Sequence, residues 1–162
     1  MMTIDLLLDK LHSFGVWLGQ LFTPVFLLNL SSGQYCIYRK GGACPVRLAS
    51  GFIKWDDEDT NNENTKSGPL PDGIFDFNTK IEFCCRTDGD KTEPISLPAV
   101  KPFFLLAYDS AECQMVKWAV SSVEWIGFDN QDFNNQDSKR GAHPFSRGKS
   151  VLTVYYCYYQ GK

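Results

Sequence analysis

Basic residues are in short supply. Sixteen Lys and Arg stand against 19 Asp and Glu, for a formal net charge of -3. Without a cationic excess to neutralise phosphates, the chain is not built as a general nucleic-acid binder. Histidine is scarcer still, with only His12 and His143. That removes histidine-rich metal centres and most two-histidine catalytic schemes. No C-x-x-C pair occurs, so the zinc pattern of closely spaced thiolates is missing. G-x-S-x-G, phosphate-loop, H-E-x-x-H and dinucleotide motifs are also absent. No convergent set of reactive groups remains, so the expectation is a protein that is not an enzyme and has no obligatory cofactor. A clean apolar run of about 18 residues, as a membrane span needs, is lacking too. The longest apolar stretch, Phe14 to Leu28, is broken by glycines, Gln20, Thr23 and Pro24.

What remains is a chain of 162 residues, 43% hydrophobic and 14% aromatic. That suits one ordinary domain with a core, and the aromatic content favours strands over helical bundles. Six cysteines, all after residue 35, point to a disulfide framework and an oxidising compartment. Residues 1–33 read as a signal peptide or a hydrophobic N-terminal segment, with Ser31 and Gly33 placed for cleavage before Gln34. Acids outnumber the single lysine of its n-region, so an uncleaved anchor and a cytosolic start stay open. A membrane partner enters only if that segment is retained. The expected domain is therefore 34–162, secreted and extracellular.

Within it, Gln34–Arg39, Phe52–Trp55, Lys80–Arg86, Phe103–Tyr108 and Val151–Tyr159 read as strands, from their aromatic and β-branched content. Gly41-Gly42, Pro71-Asp72-Gly73, Asp88-Gly89 and Asn130 to Asn135 supply turns. Val116–Trp125 is ambiguous and compatible with a helical turn, as is Leu6–Phe14. The reading is an all-β, β-sandwich-like domain.

The chain also repeats itself. At a constant offset of 73, Asp56, Asp59, Asn61, Asn62, Lys66, Gly68, Pro71 and Cys84 recur as Asp129, Asp132, Asn134, Asn135, Lys139, Gly141, Pro144 and Cys157. Two pseudo-symmetric halves follow, about 34–96 and 102–159, joined by Pro94 to Pro98. Equivalent cysteines call for equivalent partners. That favours Cys44–Cys84 and Cys113–Cys157, with Cys36–Cys85 left over. Cys44–Cys85 with Cys36–Cys84 is the open competitor.

Asp56-Asp57-Glu58-Asp59 is the densest charge in the chain. Like charges this close must splay into solvent or meet a counter-charge. Alternating oxygen ligands at Asp57, Asp59, Asn61 and Glu63 would suit Ca²⁺, although no EF-hand spacing is present. The competing reading is a solvated loop whose Asp and Asn side chains satisfy nearby backbone amides. Trp55, Asp56, Asp57, Glu58, Asp59 and Asn62, with Asp129, Asp132 and Asn135 from the second run, form the candidate ligand-binding set. Trp55 and Phe128, and likewise Trp118 and Trp125, are either sugar-stacking rings or core. His143, before Pro144, reads as a turn residue rather than a base.

Cys36-Ile37-Tyr38, Cys44-Pro45, Trp55 to Asp59, Leu70-Pro71-Asp72-Gly73, Cys84-Cys85-Arg86, Cys113-Gln114, His143-Pro144 and Tyr156 to Tyr159 occur in the order of the apextrin C-terminal (ApeC) domain, which the chain resembles from about Tyr35 to Tyr159. Its second acidic run, Phe128-Asp129-Asn130-Gln131-Asp132, is less acidic than the family pattern, and Lys117-Trp118 replaces a Gly-Met pair. The resemblance implies a secreted pattern-recognition protein of invertebrate innate immunity that binds bacterial cell-wall glycan, peptidoglycan or muramyl peptide. The alternative it implies is an extracellular matrix or adhesion protein with protein partners and no glycan specificity.

Overall fold

The computed structural model describes residues 31–58, 60, 62–130 and 133–162. Leu6–Phe14, read as compatible with a helical turn, and the apolar stretch Phe14–Leu28 lie outside the described residues. The described residues form nine strands: β1 (Gln34–Tyr38), β2 (Ala49–Trp55), β3 (Gly73–Phe75), β4 (Thr79–Thr87), β5 (Phe103–Ala107), β6 (Ala119–Asp129), β7 (Ser138–Gly141), β8 (Ser146–Arg147) and β9 (Val151–Gly161). No helix occurs among the described residues, and every strand pairing is antiparallel. They make one sheet in the order β6-β9-β5-β1-β4-β2-β7, with β3 beside β4 and β8 beside β9.

The central strands are covered on both faces, which explains their continuous apolar runs. Tyr35, Phe103, Leu105, Cys157 and Tyr159 pack on one side with Ile95 and Val116 from the connecting segments. Cys36, Ile53, Trp55, Phe83, Leu106, Leu152 and Val154 pack on the other. Neighbours Leu105 and Leu106 thus serve different cores, as successive side chains of a strand must. Along β9 the buried set changes parity near Tyr155–Tyr156, where the strand passes from one core to the other.

The second core exists because the sheet rolls up. Trp55 on β2 and Phe128 on β6 belong to strands far apart in the hydrogen-bonded order, yet their ring centroids are 4.7 Å apart. Sheet twist accumulated over this many strands brings the two ends together. The layering expected of a sandwich therefore comes from one continuous sheet closing on itself. β7 lies across β2 at close range, where Gly51 pairs with Gly141. A Cβ on Gly51 would stand 2.2 Å from Ala142 O, and one on Gly141 2.3 Å from Ser50 O, so only glycine fits either place.

β4 carries β2 along one edge and β1 and β3 along the other; β9 carries β6 along one edge and β5 and β8 along the other. The likeness stops short of a two-fold relation. β7, from the second half, extends β2, whereas its sequence counterpart Thr65–Gly68 forms no strand. The ambiguous Val116–Trp125 segment holds no helical turn. Val116 bridges Ile95, Trp118 turns through a positive φ of 63°, and β6 begins at Ala119.

Three disulfides fasten the sheet. Cys36–Cys85 joins residues directly opposite on β1 and β4, Cys44–Cys84 spans 40 residues, and Cys113–Cys157 spans 44. Closing loops of that length is worth about 4 kcal/mol each in the chain-entropy model. Beside the last bridge, Gln114 is buried and its amide donates to the carbonyls of Lys91, Glu93 and Met115. Its Oε1 accepts from Gln34 N at 2.7 Å, so one side chain ties the 91–95 segment to the start of β1.

Candidate functional site

The two acidic runs meet where the roll closes. Asp56 follows directly on Trp55 at the end of β2. Its backbone N–H donates to Asp137 Oδ1 at 2.7 Å, and its own Oδ2 accepts from Gln136 N at 2.8 Å. Asn130 Nδ2 donates to Asp137 Oδ2 at 2.6 Å, and Lys54 Nζ lies 3.3 Å from Asp56 Oδ1. Burial pushes the Asp137 carboxyl up from its ordinary range, against the hydrogen bond it receives from the Asp56 backbone. The arrangement is a reciprocal latch between the loop after β2 and the loop before β7.

The rest of the first run is consumed by its own loop. Asp57 Oδ2 accepts from Asn64 Nδ2 at 2.8 Å and Thr79 Oγ1 at 2.7 Å, while Asp57 N donates to Asn78 Oδ1 at 3.0 Å. Asn62 Nδ2 donates to Glu58 O and Phe77 O, each at 2.9 Å. Glu58 and Asp129 are exposed, and Asn135 Oδ1 accepts from Asp137 N at 2.8 Å. Asp59 and Asp132 lie outside the described residues. Among the described residues no group of three or more His, Cys, Asp or Glu is gathered to hold a metal ion. Trp55 is only 1% exposed, with its ring tilted against Phe128, so it is not presented to a ligand. Asp56 is likewise buried. The candidate set therefore divides into closure residues (Trp55, Asp56), loop-internal residues (Asp57, Asn62, Asn135) and the exposed carboxylates Glu58 and Asp129.

A second feature opens near the far end of β7. A shallow cleft of about 210 Å³ is lined by Tyr108, Asp109, Gly141, His143, Phe145 and Ser146. Phe145 N donates to Ala107 O at 2.8 Å, which fixes the 141–146 segment against the end of β5. The Phe145 ring leans on Tyr155 with centroids 5.3 Å apart. His143 Nδ1 lies 3.0 Å from Pro144 O and must donate to that carbonyl, which leaves Nε2 as the acceptor of the neutral ring. Asp109 sits at a positive φ of 68°, a conformation that Asp tolerates better than most residues. Ser146 Oγ is buried without a hydrogen-bond partner. The cleft thus combines aromatic walls, a carboxylate and an imidazole acceptor, the mixture that fixes small polar ligands. Sequence reasoning singled out His143 only as a turn residue and gave no signal for Asp109 or Ser146, because these groups come from two separate segments.

The remaining aromatic candidates point outward. Trp118 is 82% exposed and Trp125 67% exposed. Neither is core, and they stand near the start and past the middle of β6, too far along the strand to share one sugar ring.

A model of the ApeC family, the C-terminal domain of apextrin, matches residues 27–159. No curated protein and no solved structure matches the chain.

Proposed function

The chain belongs to the ApeC family, the C-terminal domain of apextrin, and on that premise we propose that it is a secreted apextrin-like recognition protein, a binder rather than an enzyme, directed at bacterial cell-wall glycan. Three disulfides in a small β domain fit an extracellular protein. The observation that carries the ligand reading is the cleft. Tyr108 and Phe145 line it with aromatic side chains suited to the C–H face of a sugar, and Asp109 and His143 offer partners for hydroxyl or acetamido groups. Its size suits one sugar unit of a polymer rather than a long oligosaccharide. This moves the binding role from the acidic runs to the cleft, since Asp56 and Asp57 are already engaged within the protein. Calcium, if it acts, falls to the exposed carboxylates.

The test is retention on insoluble peptidoglycan, with chitin and cellulose as controls, in calcium and in EDTA. Retention on peptidoglycan in both media is expected. Tyr108→Ala and His143→Ala should each bind about tenfold more weakly, the loss that ~1.4 kcal/mol of contact implies. Asp129→Asn should bind like the parent. Loss of retention in EDTA would return the site to the acidic loops. No retention on any polymer would favour the adhesion reading, which the exposed apolar side chains of β6 support.

A further inference from the structure

β6 is an unguarded edge. It runs for 11 residues in unbroken register with β9, and no strand among the described residues pairs with its outer side. Protein edges of this length are ordinarily protected by lysines, prolines or bulges. Between Ala119 and Phe128 there is no lysine, no proline and a single charge, Glu124. Val120, Val123, Trp125 and Ile126 are 45–67% exposed. Exposed apolar side chains on both faces of an open edge about 35 Å long (11 residues at ~3.4 Å each) are what an association surface looks like.

We infer that β6 pairs antiparallel with β6 of a second copy, about a two-fold axis through Val123. The register follows from self-complementarity. A two-fold axis normal to the sheet preserves its faces, so it can only set residues of the same parity opposite each other. With the axis at Val123, Val120 faces Ile126, Ser121 faces Trp125, and Ser122 faces Glu124. Ser122 Oγ already donates to Glu124 Oε1 at 2.7 Å within one strand, so that carboxylate meets a hydroxyl rather than an apolar group. Shifting the axis to Glu124 sets two glutamates face to face. Shifting it to Ser122 or Trp125 sets Glu124 against Val120 or Ile126. Of these four registers, the Val123 axis alone keeps Glu124 away from both a second carboxylate and an apolar side chain. The product is one sheet continuous through two copies.

Sedimentation of the oxidised full chain, from nanomolar to submillimolar concentration, tests this. The expected result is a reversible shift from 18.4 kDa to twice that mass. Val123→Lys, which sets two ammonium groups on the axis, should stay monomeric with an unchanged melting temperature. Ser122→Glu should weaken the dimer about tenfold, because it sets a carboxylate opposite Glu124 of the other copy twice. Ser122→Glu combined with Glu124→Lys should restore it. A chain that stays at the monomer mass throughout overturns the inference, as does a dimer that survives Val123→Lys. If Val123→Lys fails to fold, the charge exchange decides: absence of restoration rules out this register and with it the proposed pair.

Discussion

β2 and β6 hold matching places, each running along a long strand, β4 in one case and β9 in the other. Each carries a tryptophan. Trp55 is 1% exposed and Trp125 is 67% exposed. The difference does not lie in the strands' own composition, since both mix apolar and polar residues. It lies in what covers them. β2 is flanked by β7, a segment of the other half, and its Trp55 turns into the rolled interior. β6 has only its last residues in that interior, through Phe128, and presents the rest to solvent. Burial here is decided by a partner supplied from far along the chain.

The sharpest way to break this comparison is to truncate the two tryptophans. Trp55→Ala should cost about 3–5 kcal/mol, as for large aromatic truncations in cores. Trp125→Ala should stay within about 0.5 kcal/mol in the monomer. Urea unfolding of both variants measures the contrast, and equal losses would mean that the roll does not close over Trp55. Next in size is the latch. Asp56→Ala leaves the Gln136 amide without its acceptor, at a cost of about 1–3 kcal/mol. It should also speed hydrogen exchange in β7, making β2 an open edge like β6. Asp129→Ala, the same truncation at the matching place in the second run, should be nearly neutral.

The smallest effect is spectroscopic and sharpens the picture of what lies between the two ends. Burial raises the Tyr35 phenol from 10.0 to about 12. Burial also pushes up Tyr38, Tyr156 and Tyr159; the first two share a hydroxyl contact of 2.7 Å. Because each phenol holds its proton more tightly folded than unfolded, the stability they carry is full below about pH 10 and is lost as pH rises above it, for Tyr35 through about 12. An ultraviolet titration should therefore show four of the seven tyrosines ionising late, together with alkaline unfolding. All seven ionising together near pH 10, with the fold intact, would mean that the interior is open to water.

Much of this fold is legible in the sequence where one strand's own residues decide it. Gln34–Tyr38, Phe103–Ala107 and Val151–Tyr159 show their aromatic and β-branched content openly. β6 is not legible in that way, because its apolar residues 120, 123 and 126 fall at intervals of three and blur the alternation. β3, β7 and β8 are too short to carry a pattern and exist through their partners. The acidic run was visible as charge, but its closure role was not. The partner of Asp56 stands about 80 residues away, and no local rule joins them. The cleft is illegible for the same reason, being assembled from residues 108–109 and 141–146.

The Cys36–Cys85 bridge reaches beyond stability, into how freely the sequence can drift. Facing side chains in a sheet repeat every second residue, so slipping β1 by one place would turn its whole apolar set outward. In most sheets the hydrophobic pattern must prevent that slip and is held under constraint to do so. Here a covalent bond between directly paired residues fixes the place. The neighbouring positions are thereby released to carry polar groups that would otherwise blur the register. Arg86, next to Cys85, uses that licence: it is 1% exposed in the nine-residue β4, and its guanidinium pairs with Asp88 at 2.8 Å.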